Sequence, residues 1–186
     1  PLRAPLPMQF RITTLPSRLV LVYLLFVPFS LFSQGKADYS AEKGSLDLSS
    51  YDFEGSEILP LNGEWEFYWN QLLTPDDFEA NPKKSYYSVP ESWSSDLNPI
   101  IDSKYGYATY RLNIDFSEPK TDLALKLGTL GINNKVYVNG ILLGQAGEVG
   151  TSTEEDLPAL KVQVLSFDAP KGTVEIVIQV SNFHSK

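Results

Sequence analysis

Tyr107-Ala-Thr-Tyr-Arg-Leu-Asn-Ile-Asp-Phe116 decides the fold class. Over ten residues it alternates, with Ala108, Tyr110, Leu112, Ile114 and Phe116 on one side and Thr109, Arg111, Asn113 and Asp115 on the other. A two-residue period is that of a strand with one face packed and one face wet. Working outward, Glu64-Trp-Glu-Phe-Tyr-Trp69 repeats the rhythm, placing Trp65, Phe67 and Trp69 inward and Glu64, Glu66 and Tyr68 outward. Leu123 to Leu127 alternates again, and segments 161–167 and 174–180 read as extended, with Lys171-Gly172 turning between them. Within 135–143, Asn139-Gly140 is the dipeptide that tolerates positive φ at both centres of a type I′ turn, so a tight hairpin is predicted there. Thr74-Pro75-Asp76-Asp77 predicts at most a turn of helix, too short to shape the architecture. Short strands at this density predict an all-β sandwich or jelly roll.

Composition sets the limits of function. The 186 residues contain 23 acidic against 15 basic side chains and no cysteine, which excludes disulfides, thiol nucleophiles and Cys-ligated metals. A net charge of −8 disfavours nucleic acid, whose phosphates need clustered Lys and Arg. The expected partner is a small polar molecule.

Residues 1–35 carry Arg3, Arg11 and Arg18 with no acid, followed by the apolar run Leu19 to Phe32. This pattern reads as a secretory signal, with cleavage between Gly35 and Asp38 and Met8 standing where a start codon would give the basic region a normal length. Fourteen residues of helix span about 21 Å, short of the roughly 30 Å hydrocarbon core that an anchor must cross. The remaining chain has 12 basic against 23 acidic residues, a net charge of −11. Residues 36–58, rich in Ser, Asp and Glu, are expected to be a mobile leader, with the domain spanning 59–186.

Several groups could carry chemistry. Gly144-Gln-Ala-Gly147 has no following helix to aim at a phosphate and reads as a loop. His184, the single histidine, reads as solvated or packed. Glu64, Glu66 and the Glu154-Glu155-Asp156 triplet read as solvated surface, although the triplet could instead bind calcium. No cofactor motif and no nucleophile beside a base are visible, so the chain alone is expected not to be an enzyme. Trp93, Tyr105 and Tyr107 flank a long loop, and rings displayed from loops on a rigid β scaffold can stack on sugar faces. Those three are the candidate ligand-binding residues, with core packing the alternative for each.

The ordered set Leu61-Asn-Gly-Glu-Trp-Glu-Phe67, Val89-Pro-Glu-Ser-Trp93, Gly106-Tyr-Ala-Thr-Tyr-Arg-Leu112, Val136-Tyr-Val-Asn-Gly140 and Glu175 to Asn182 resembles galactose-binding-like jelly rolls. It is similar to the sugar-binding domain of family 2 glycoside hydrolases. It looks still more like the extracytoplasmic domain of bacterial seven-transmembrane receptors with diverse intracellular signalling modules. The resemblance spans about residues 59 to 184. It implies an exported ligand-sensing, carbohydrate-binding module attached to a membrane through downstream helices, or else a non-catalytic accessory domain of a secreted hydrolase. Relatives of both kinds continue beyond the position of Lys186, so a truncated C-terminal end is expected.

Overall fold

A computed structural model describes residues 39–53, 58–93, 99–127, 133–159 and 162–184. The signal segment lies outside the described residues. Among those described, nine strands form two sheets: β1 (Ser45–Asp47), β2 (Gly63–Trp69), β3 (Ser85–Val89), β4 (Gly106–Phe116), β5 (Lys120–Leu127), β6 (Asn133–Val138), β7 (Ile141–Ala146), β8 (Gln163–Ala169) and β9 (Gly172–Asn182). The larger sheet runs β3-β2-β4-β9-β6-β7, with β1 parallel beside β4, and β5 pairs β8 in the smaller one. The fold is the all-β sandwich that the alternation predicts.

β4 is its spine, pairing β9 from Gly106 with Asn182 to Phe116 with Gly172. Its inward set packs as expected: Ala108, Leu112, Ile114 and Phe116 are buried, together with Trp65, Phe67, Val174 and Ile176. Leu123, Leu125 and Phe167 close the core from the smaller sheet. Burying each large apolar side chain contributes about 1.5–3 kcal/mol. Asn139 and Gly140, at φ 46° and 82°, join β6 to β7 in the predicted two-residue turn.

Residues 39–53 are not a mobile leader. Leu46 and Leu48 are buried, and Tyr39, Tyr51 and Phe53 pack on the same core. β2 covers β4 from Ala108 to Arg111, and β1 takes over the same edge from Asn113 to Asp115. The exchange is made by backbone: Ala41 N donates to Asn62 O and Glu64 N to Ala41 O, each at 2.8 Å. Gly63 permits it, because at φ 113° a side chain would be strained and its Cβ would run into the Ala41 backbone. A three-residue strand cannot display a period, which is why composition pointed to a leader. Leu46→Ala is expected to lower stability by about 2–3 kcal/mol in urea unfolding. A change within about 0.5 kcal/mol would mean that this segment does not belong to the cooperative unit.

The outward face of the large sheet is also covered. Tyr68, Thr109, Val177, Gln179 and Ser181 are buried there. Residues 71–80 form a strap across it: Leu73 N donates to Thr109 Oγ1 at 2.9 Å, Thr109 Oγ1 to Gln71 O at 2.8 Å, and Gln179 Nε2 to Leu73 O at 3.0 Å. The strap ends in a 3₁₀ turn, Pro75–Ala80, at the predicted Thr-Pro-Asp-Asp. Short as it is, it matters architecturally, because Phe78 packs on Tyr68 and under the Arg111 guanidinium, 4.4 Å from its ring centroid.

Candidate ligand-binding site

The acidic candidates resolve into structural networks. Alternation puts Glu66 on a solvated face, yet the strap leaves it only 4% exposed. Its register partner on β4 is Arg111. Tyr68 donates its hydroxyl to Glu66 Oε2 at 2.7 Å, Lys84 reaches Oε1 at 2.5 Å, and Arg111 lies 3.3 Å from Oε2 while pairing with Glu175 at 2.6 Å. Burial alone would raise the Glu66 carboxyl, but the hydrogen bonds from Lys84 and Tyr68 and the charges of Lys84 and Arg111 outweigh it and hold it below its ordinary value. Burial, the Glu66 hydrogen bond and the Glu66 charge all push the Tyr68 hydroxyl up. Both carboxylate oxygens are therefore occupied. Glu64 is exposed, as alternation predicts.

The loop triplet divides. Glu154 and Glu155 are exposed, and Glu155 turns back to accept from Thr151 N at 2.9 Å. Asp156, expected to be solvated, is 2% exposed. Asn133 Nδ2 donates to its Oδ1 at 2.6 Å, Ser181 Oγ donates to the same oxygen, and Phe183 N donates to Oδ2 at 3.0 Å. These donors sit 23 to 27 residues away in sequence, so no local motif announces them. His184 is held rather than simply solvated, its Nε2 lying 2.9 Å from Asp156 O and 3.2 Å from Thr153 O. Ser181 and His184 thus both address Asp156 and do not form the nucleophile, base and orienting acid of a triad. Asp156 spends its oxygens on N–H and O–H donors, and among the described residues no three His, Asp or Glu converge on a metal position. Gly147, at φ 65°, leaves room for Asn133 Oδ1, which a Cβ there would overlap. That close approach explains the glycine without any phosphate.

The aromatic candidates separate. Trp93 is half-buried and stands edge-to-face against Trp69, centroids 4.9 Å apart at 83°. Its Nε1 donates to the Tyr110 hydroxyl at 2.8 Å. Tyr110 is an inward residue of β4, and its hydroxyl is raised by burial. Trp69 Nε1 in turn donates to Asp102 Oδ1 at 3.2 Å, which ties the Trp93 end to the loop bearing Tyr105. Tyr105 is 37% exposed, with the Lys104 ammonium 4.9 Å from its ring centroid. Tyr107 does not join them. It belongs to the odd-numbered, outward set of β4 and lies beside Phe183, 6.5 Å between centroids.

Trp69, Trp93, Asp102 and Tyr105 therefore mark one end of the sandwich, and the described residues next to them are anchored. Tyr87 donates its hydroxyl to Ser92 O at 2.6 Å, immediately before Trp93. Ile101 is fully buried immediately before Asp102. Gly106 backs the Trp69 ring so closely that a Cβ would come within 2.8 Å of Cη2. The arrangement offers half-exposed rings beside an exposed carboxylate, held in place before any ligand arrives. Sequence reading favoured the core for Trp69 and did not single out Asp102. The available signal was Trp69's position as the last residue of its strand, where the pleat no longer buries a ring on all sides.

No family model matches the chain, and no curated protein matches it. Among solved structures it is similar to a β-glucuronidase from Faecalibacterium prausnitzii, at 19% identity and TM-score 0.49, over 68% of this chain and 21% of that one. It is also similar to a β-glucuronidase from Ruminococcus gnavus in complex with D-glucuronic acid, at 16% identity and TM-score 0.43, over 66% and 21%. A third is a GH2 β-galacturonidase from Eisenbergiella tayi bound to galacturonate, at 15% identity and TM-score 0.42, over 66% and 18%. The chain spans about a fifth of the length of each of these proteins.

Proposed function

We propose that this domain is a carbohydrate-binding module without catalytic machinery of its own, serving as the extracytoplasmic sensing part of a bacterial membrane receptor. The observation that carries the binding role is the pinned end of the sandwich, where Trp93 stands against Trp69 and Trp69 holds Asp102. Apolar ring faces take the C–H face of a pyranose, while a carboxylate accepts its hydroxyls. Side chains held in advance lose little entropy on binding. The basic and then apolar N-terminal segment supports export, and the ordered resemblance across residues 61–182 supports the receptor setting.

The test is a glycan array probed with the chain and with Trp93→Ala. Binding to at least one saccharide is expected, weakened about tenfold or more in the variant, since losing a ring stack and its pocket removes on the order of 1.4 kcal/mol. Circular dichroism of the variant separates lost contact from lost fold. Unchanged binding by a folded Trp93→Ala would remove the ring from the site, and an array blank for every glycan would end the carbohydrate reading. The receptor setting predicts seven apolar spans encoded downstream. A catalytic barrel with two opposed glutamates in that position would instead make the domain a hydrolase accessory.

A further inference from the structure

We infer that Asp102 makes the Trp69–Trp93 end selective for neutral saccharides over uronates. This inference rests on the carbohydrate-binding reading and specifies its ligand class. The Trp69 indole N–H fixes one Asp102 oxygen at 3.2 Å. Among the described residues the other oxygen accepts no hydrogen bond, and the residue is exposed. A carboxylate has lone pairs and no donor, so it addresses hydroxyl groups well and another carboxylate badly. Trp69 is stacked on Phe67 and edge-to-face with Trp93, so the fixed charge stands at the half-exposed rim of the ring cluster, and a sugar held against that rim brings ring substituents toward it.

The described neighbouring charges leave the end net acidic. Lys104 keeps its charge over the Tyr105 ring, and the exposed Glu91, two residues before Trp93, offsets it, so Asp102 stands uncompensated. With these included, residues 36–186 carry a net charge of −11. An approaching uronate meets repulsion both at long range and at contact, whereas a hexose of the same ring geometry meets none. Repulsion between exposed charges a few ångströms apart weakens with salt, so the selectivity is salt-dependent.

Titration calorimetry at pH 7 with matched pairs, glucose against glucuronate and galactose against galacturonate, tests this in low and in physiological salt. In low salt the neutral member of a pair is expected to bind about tenfold more tightly, with a smaller ratio in physiological salt. Asp102→Asn keeps an oxygen to accept from Trp69 and removes the charge, so it is expected to bring the ratio within about threefold. Equal or tighter binding of the uronate by the unmodified chain, or a ratio that Asp102→Asn leaves unchanged, overturns the selectivity and leaves the carbohydrate reading standing. Failure of all four sugars to bind overturns the selectivity, whereas the carbohydrate reading falls only with a blank array.

Discussion

Asp156→Ala is expected to destabilise the domain by about 3–5 kcal/mol, the range for removing one member of a buried charged hydrogen-bond network. Asn133 Nδ2, Ser181 Oγ and Phe183 N all donate to this carboxylate. With alanine in place, three donors in a water-poor site lose their acceptor together. The loss also frees the loop from the end of β9, because Gly150 N reaches Ser181 Oγ at 3.2 Å and Ala159 N reaches Asn133 Oδ1 at 3.2 Å. Asp156→Asn keeps one acceptor but turns an NH2 toward one of the donors, so a smaller loss, about 1–2 kcal/mol, is expected. Urea unfolding reads both values, and amide hydrogen exchange at Phe183 reads the release of the strand end. A loss below about 1 kcal/mol for the alanine variant would show that water replaces the carboxylate without penalty.

Glu66→Ala is the second large effect, about 2–3 kcal/mol, because it leaves the buried Tyr68 hydroxyl without its acceptor and removes the shared partner of Lys84 and Arg111. Arg111 keeps Glu175 and Lys84 is 40% exposed, so the cost falls chiefly on Tyr68. The acid dependence has a definite sign. The folded Glu66 carboxyl titrates below its ordinary value of 4.5, so between those two values the unfolded chain binds more protons than the native one, and stability rises with pH. Its contribution is complete above the ordinary value and disappears as pH falls through the lowered one. Glu66→Gln is therefore expected to destabilise at pH 7 and to flatten the acid limb of the stability profile. Chemical unfolding across pH 2.5 to 7 (about two units either side of the ordinary carboxylate value) measures this. An acid limb identical in the glutamine variant would assign the dependence to other carboxylates.

The parts of the fold legible in the sequence are those whose signal is local. The alternation of Ala108 to Phe116 and the Asn139-Gly140 turn each depend on adjacent residues, and each has the structure that its pattern predicts. What a periodic pattern does not encode is what lies against a polar face. Glu66 and Thr109 read as wet because they are polar, but strap backbone partners Thr109, and the side chains of Tyr68, Lys84 and Arg111 partner Glu66, where water would otherwise do so. Residues 39–53 were illegible for a related reason, since their apolar residues find neighbours through β4 rather than through each other. At the site, Trp93 and Tyr105 were visible as loop rings. Tyr107 is out of phase with Ala108 and Tyr110, and that parity already assigned it to the other face. The link from Trp69 to Asp102 crosses 33 residues and has no sequence signature.

The three tryptophan indole N–H groups give the most direct test of where a ligand sits. Trp65 donates to Leu61 O at 3.0 Å inside the core, about 13 Å along β2 from Trp69, and serves as an internal reference. In ¹H–¹⁵N spectra of the labelled chain titrated with a neutral saccharide from the array, the Trp69 and Trp93 indole signals are expected to shift together and saturably while that of Trp65 stays fixed. A saturable shift confined to Trp65, or bound sugar with both the Trp69 and Trp93 signals unmoved, would contradict a ligand site at this end of the sandwich.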